Sequence, residues 1–339
     1  MKLLQVPSHR EKKPVSNSHR HLGRGDHVFQ RWFLAVGLSL LLTTAGSPAT
    51  IQASSSPAPL LLVTNSNFTA NPFGMYLGEI LRAEGLNEYD NIDLANVDSS
   101  LLSQYPVVIL AQTSLTSAQA SLFSNYVNGG GQLIAMRPDA QIAGLFGLAA
   151  SAGSPLADGY LQINSSAQID GQAPGEGLVT DTLQIHGKTD IYNLAPGAVI
   201  LAQLYNSASS STAYPAVVSG TYGSGRGIAF LYDLAKNVVY MRQGNPNNAT
   251  YVNPNTKVTG DVDGDGIYRT IDLFQTQGGG APWVNLNKVP IPQADEQMRL
   301  FSRLVKILAG ASQPLPQLWY FPGSAKTMLI MTGDSHANH

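Results

Sequence analysis

The sequence predicts an α/β fold built on a doubly wound, flavodoxin-like and mostly parallel sheet, and three observations carry that expectation. Unbroken apolar runs at 60–64, 107–111 and 132–136 have the length and composition of strands buried on both faces. Stretches of helical period stand between them, at 73–84 and 116–127. Glycines close those stretches, Gly85 after the first and Gly129, Gly130 and Gly131 after the second, as helix ends require.

Element by element, the run 60–64 is bounded by Asn65, Ser66 and Asn67, which are turn formers. In the first helix Phe73, Tyr76, Leu77, Ile80 and Leu81 share one face. A weak strand is expected at 92–97 and strong ones at 107–111 and 132–136. From 151 to 215 Gly, Ser and Ala dominate, so a β-rich insertion is expected, with strands at 160–163, 182–185 and 198–204. The earlier pattern resumes with strands at 216–219 and 228–232 around a glycine-rich turn, then a helix from Leu234 and a last one at 294–309. This gives one α/β domain over 60–310.

Composition excludes several classes. Charged residues are 12% and hydrophobic ones 43%, with 33 Gly and 20 Pro, which fits a globular body rich in turns. The net charge of -2 is uneven: seven Lys and Arg lie within residues 1–31, leaving 13 basic and 20 acidic groups in the rest. The body carries no basic, aromatic-studded face, so nucleic acid is not an expected partner. With no cysteine, disulfides, thiolate metal sites and a cysteine nucleophile are excluded.

A basic leader with Arg24 and Arg31 precedes an apolar run at 32–45 and a small-residue stretch ending at Ala53. About 14 apolar residues suit a signal peptide better than a membrane span, which needs about 20. Residues 1–53 are therefore expected to be a signal peptide, 54–59 a linker, and the product secreted, or anchored if the leader stays uncleaved.

Ligands of such sheets bind beyond the carboxyl ends of the strands. The residues expected there are Asp139, His186, Asp233, Arg242 and Gln243. Each also has a plain structural alternative. Asp139 would cap a helix from Ala140, His186 would sit in a turn before Gly187, and Arg242 would pair with Asp233. An active hydrolase using His186 with Asp233 is the least favoured possibility.

The segments Tyr105-Pro-Val-Val-Ile-Leu, Leu115-Thr-Ser-Ala-Gln, Tyr126-Val-Asn-Gly-Gly-Gly-Gln-Leu-Ile-Ala and Gly223-Ser-Gly-Arg-Gly-Ile-Ala-Phe resemble the glutamine amidotransferase-like superfamily, in its sugar-hydrolase-associated branch. The resemblance implies an α/β sheet whose catalytic members hold a cysteine on a sharp turn after a central strand. Here that strand leads to Arg137-Pro138-Asp139, and no Gly-x-Ser-x-Gly elbow supplies a serine instead. A catalytically silent domain is expected.

The spacing of Asp261, Asp263, Asp265, Gly266 and Asp272 matches a calcium loop of the EF-hand kind over 261–272. Three carboxylates, the carbonyl of Ile267 and a closing carboxylate at Asp272 would surround the cation. Aspartate at the last position resembles the dockerin-type loop, but a second repeat is missing. Calcium is expected to staple the polar excursion between Asn245 and Pro290.

From Pro314 a connector leads to a strand ending in Met331-Thr-Gly-Asp334-Ser335-His336. This resembles the opening of a polysaccharide deacetylase domain, with a Thr-x-Asp-Asp motif. The resemblance implies that Asp334 is the general base and that Ser335 replaces a metal-ligating aspartate, with His336 a substitute ligand for a divalent metal such as zinc. The residues 314–339 then read as the truncated start of a second domain. The expected whole is a secreted, carbohydrate-associated protein with an extracellular glycan as partner. The alternative is a non-enzymatic exported domain that binds sugar or protein. The sequence does not specify an oligomeric state.

Overall fold

The computed structural model describes residues 57–278, 282–310 and 315–318. The expected signal peptide and the deacetylase-like tail, with Asp334, Ser335 and His336, lie outside the described residues. Strands β1 (Leu60–Thr64), β2 (Tyr89–Asp93), β3 (Val107–Leu110) and β4 (Gln132–Met136) alternate with helices α1 (Tyr76–Ala83), α2 (Ser99–Leu102) and α3 (Ser117–Asn128). A stretch of short strands follows: β5 (Leu148–Ser151), β6 (Leu156–Ala157), β7 (Tyr160–Ile163), β8 (Leu183–Gln184), β9 (Lys188–Thr189) and β10 (Tyr192–Leu194). Then come β11 (Val199–Ser207), β12 (Ser210–Tyr222), β13 (Gly225–Phe230), α4 (Leu234–Gln243) and α5 (Gln293–Ala309).

Nine of these strands form one sheet in the order β2-β1-β3-β4-β13-β12-β11-β7-β8. The first five strands in that order pair in parallel and the remaining pairings are antiparallel. The expected β-rich insertion is present between β4 and β13, where β5 pairs with β10 and β6 with β9, but part of it joins the main sheet. Its strands β7, β8 and β11 lengthen the main sheet, because the long hairpin from β12 into β13 places its first arm beside the parallel half.

Successive residues of a strand face opposite ways, so one sheet makes two cores. Leu60, Leu62, Val107, Ile109, Ile134 and Phe230 pack under α1, α4 and α5. Leu61, Val63, Val108, Leu110, Leu133 and Leu231 pack under α3 and the 3₁₀ turn Ala140–Phe146. That turn approaches the sheet closely. A Cβ on Gly220 would fall 2.3 Å from the Gly147 nitrogen, and one on Gly227 would fall 2.4 Å from the Leu145 carbonyl oxygen.

The helix ends follow from their residues. Thr116 and Gln119 form a capping box at the start of α3. At the end of α1, Leu86 N donates to Leu81 O at 2.8 Å and Gly85 N to Arg82 O at 2.9 Å, a Schellman closure with Gly85 at φ 81°. Residues 315–318 dock on that same turn: Leu318 N donates to Gly85 O at 2.7 Å and Gln317 Nε2 to Glu84 O at 2.8 Å. Among the described residues no helix is long and apolar enough to cross a membrane.

Candidate functional site

The loops after β1, β3, β4 and β13 meet at the carboxyl edge of the parallel half. The strand order reverses between β1 and β3, and crevices at such points are where ligands of open α/β sheets sit. Asn71, which caps a short 3₁₀ turn behind Pro72, comes from the first loop and Gln112 from the second. Asn71 Nδ2 donates at 2.6 Å both to Gln112 Oε1 and to Asp233 Oδ2. Asp233 caps α4, its other oxygen accepting from Ala235 N at 3.0 Å. Burial pushes the Asp233 carboxyl above its ordinary range, against the hydrogen bond from Asn71.

The turn after β4 carries Arg137 at φ 40°, in the left-handed region that a non-glycine residue seldom enters. Its backbone N donates to Phe230 O at 2.6 Å, and its guanidinium grips Asp190 through two bonds of 3.0 and 2.8 Å. Such a bidentate fork fixes the side chain in place. Asp139 takes its structural alternative. Its two oxygens accept from Gln141 N at 2.9 Å and Leu115 N at 3.0 Å, holding two loops together.

His186 closes the far side of the cleft. Its backbone N donates to Asn237 Oδ1 at 2.7 Å, and Asn237 shares the Oε1 of Gln297 with the Tyr232 hydroxyl, at 2.8 and 2.7 Å. Gln297 returns a bond of 3.2 Å to Gln184 O, so a buried amide network from α4 and α5 fixes the loop. The imidazole stacks on Trp283 at 3.8 Å between ring centroids and is only 3% exposed. Burial pushes it down to about 4, with the Asp158 carboxylate pulling the other way. Its Nδ1 is buried without a hydrogen-bond partner. No hydrogen bond joins it to Asp233, whose oxygens are held by Asn71 and Ala235, so the least favoured reading, a His186 and Asp233 pair, is not formed.

A polar cavity of about 280 Å³ is lined by Asn71, Gln112, Arg137, Asp158, His186 and Lys236, among others. Gln112 and Arg137 also border an adjoining hollow of about 310 Å³ that reaches Asp190. Across the two, Arg137, Lys188 and Lys236 stand among Asp139, Asp158, Asp190 and Asp233, so charges of both signs are mixed and neither dominates. Lys236 Nζ also lies 5.1 Å from the Tyr240 ring and 5.9 Å from that of Phe73. At the opposite edge of the sheet a hollow of about 580 Å³ is lined by Tyr105, Tyr126 and Gly129 to Gly131. Its Tyr126 hydroxyl is engaged by three backbone carbonyls.

Arg242 and Gln243 are not part of the cleft. They occupy the last turn of α4, about 15 Å from the cap at Asp233 for a helix of this length. Arg242 pairs with Asp295 at 3.0 Å rather than with Asp233, and both partners are nearly half exposed. Asn71, Gln112 and Lys236 were missed by sequence reasoning. The signal available was their place directly after a strand or at a helix start.

In the 261–272 loop Asp261, Asp263 and Asp265 bring carboxylate oxygens within 4.8 Å of one another. Asp261 is sealed from solvent by its own loop rather than by the core, and the Thr256 hydroxyl, with the amides of Gly264 and Gly266, holds its carboxyl below the usual range. Asp272 stands apart from that cluster. Buried, it accepts from the amides of Val262 at 2.9 Å, Asp263 at 3.2 Å and Arg269 at 2.7 Å, bracing the loop from behind. The Ile267 side chain points outward, 54% exposed, and Arg269 pairs with Asp265.

No protein-family model matches the sequence, and no curated protein does. The structure is similar to part of a β-galactosidase from Bacillus circulans sp. alkalophilus, at 15% identity over 55% of this chain and 31% of that one, with a TM-score of 0.37. An exo-β-1,4-mannosidase from Opitutaceae bacterium strain TAV5 aligns at 15% identity over 55% of this chain and 33% of its own, with a TM-score of 0.40. A carbohydrate deacetylase aligns at 16% identity over 52% and 30%, with a TM-score of 0.39. The chain spans about a third of the length of these enzymes, and similarity at this level assigns no activity.

Proposed function

We propose that this chain belongs to an exported, carbohydrate-associated protein and that its α/β body binds a neutral glycan without performing chemistry on it. The cleft of mixed charge at the β1/β3 reversal carries the proposal. A sugar hydroxyl both donates and accepts, and Gln112, Asp158 and Lys236 offer partners of both kinds. An ionic ligand would call for a field of one sign.

The strand order supports the flavodoxin-like assignment. The amidotransferase-like assignment, in its silent form, rests on the sequence resemblance alone, by which the turn after β4 that carries Arg137 would take the place of the cysteine-bearing turn. Calcium belongs to the same proposal, because three convergent carboxylates fit a hard cation and Ile267 would add its carbonyl. Export, with the leader as signal peptide, rests on the leader's pattern. A fused deacetylase, with Asp334 as base and His336 as a ligand for a metal such as zinc, rests on the resemblance of the tail alone.

Calorimetric titration of the full chain with a panel of neutral oligosaccharides tests the glycan reading. Saturable binding is expected, weakened roughly tenfold by Gln112→Ala, about the effect of losing one or two hydrogen bonds. Heats that never saturate with any glycan would sink it and favour a protein-binding scaffold.

A further inference from the structure

A second cavity, of about 530 Å³, adjoins the polar cleft and differs from it in character. Met241, Ile271, Phe274, Val284, Leu286 and Ile291 line it, brought together by the end of α4, the start of α5 and the excursion between them. Its volume lies within the roughly 300–1,000 Å³ of small-molecule sites, which are mostly apolar with a few polar groups. Three of its lining side chains are unusually open for large aliphatic residues: Ile271 at 58%, Leu286 at 67% and Val289 at 60%. All three border the same cavity rather than being scattered over the surface, as an apolar binding patch would require.

His186 connects the two spaces, since it lines both the polar and the apolar cavity. Trp283 stacks on it and Tyr240 lies 5.9 Å from Trp283, so His186, backed by these rings, is the partition between a hydroxyl-matching compartment and an apolar one. The unpaired Nδ1 sits in this partition, and a buried polar atom without a partner is rare enough to call for an explanation. From this juxtaposition we infer that the site takes an amphipathic glycoside: the sugar lies among Gln112, Asp158 and Lys236, and an apolar alkyl or aryl substituent crosses His186 into the second cavity. This rests on the glycan reading and narrows it to sugars bearing such a substituent.

The test compares octyl with methyl β-glycosides of glucose, galactose, mannose and N-acetylglucosamine on the full chain, below micelle-forming concentrations and with octanol as control. For at least one sugar the octyl form is expected to bind at least about a hundred-fold tighter, given the free energy of burying methylenes. The double variant Leu286→Asp/Val289→Asp, at two exposed positions, should abolish that gain and leave oligosaccharide binding as it was. Equal affinity of octyl and methyl forms, a gain that survives the double variant, or octanol binding as tightly as the octyl glycoside would each overturn the inference. If oligosaccharides still bind in that case, the glycan reading stands; if they do not, both fall.

Discussion

Burial determines the charge of His186, and through it the acid stability of the cleft. In an unfolded chain the imidazole titrates near 6.5, while in the fold burial pushes it down to about 4. As pH falls below 6.5 the unfolded state takes up the proton first. Stability is therefore complete above that value, declines through the window down to about 4, and levels off beyond. The loss attributable to this one group is on the order of 3 kcal/mol. His186→Phe keeps an aromatic partner for Trp283 and removes the titration. Urea unfolding at pH 7, 5 and 4 should show a clearly flatter profile for the variant, and parallel profiles would contradict the assignment. Asp233, whose carboxyl burial pushes upward, acts with the opposite sign but is present in both proteins and cancels. At this scale the sequence revealed His186 and Asp233 by residue type and place. It could not reveal that Asp233 is held by Asn71, a partner 162 positions away.

At the scale of elements, boundaries set by local chemistry were legible. Thr116 with Gln119 opens α3, and Gly85 closes α1 by a left-handed turn, because those residues satisfy helix ends wherever they occur. The β-rich stretch was not legible as part of the main sheet. Its strand pairings follow from the hairpin of β12 and β13, and short Gly-, Ser- and Ala-rich strands advertise no partner. The acidic loop lies between these cases, its spacing visible and the separate bracing role of Asp272 invisible. If calcium binds there, a hundred-fold excess over the dissociation constant stabilises the fold by about 2.7 kcal/mol. That corresponds to a rise in melting temperature of roughly 5 °C or more for a body of this size. Asp263→Asn/Asp265→Asn should lose the rise while melting no lower than the parent in a chelator, since it removes exposed like charges. A parent protein whose melting is indifferent to chelation would remove calcium from the account.

For the molecule as a whole, stability is divided between two cores separated by one sheet, and truncation in either should weaken the entire body. Phe230 is fully buried and meets Tyr232 and Phe301 edge to face, both at 5.9 Å. Phe230→Ala is expected to cost about 3–5 kcal/mol, against no more than about 0.5 kcal/mol for Met75→Ala, a residue 63% exposed. Denaturant midpoints would measure both, and a small loss at Phe230 would show that the cores do not unfold together. The α/β class was legible at this scale because strands buried on two faces leave unbroken apolar runs. The position of the cleft was legible only as a rule about strand ends.

The described chain both enters and leaves at the amino edge of the sheet. Ala58 N is fastened to Asp90 at 3.1 Å just ahead of β1, and Leu318 N to Gly85 at 2.7 Å behind α1. The cleft opens at the other edge. A force applied at Ala58 or at Leu318 is therefore met first by the bonds to Asp90 and Gly85, remote from the loops around Asn71 and His186.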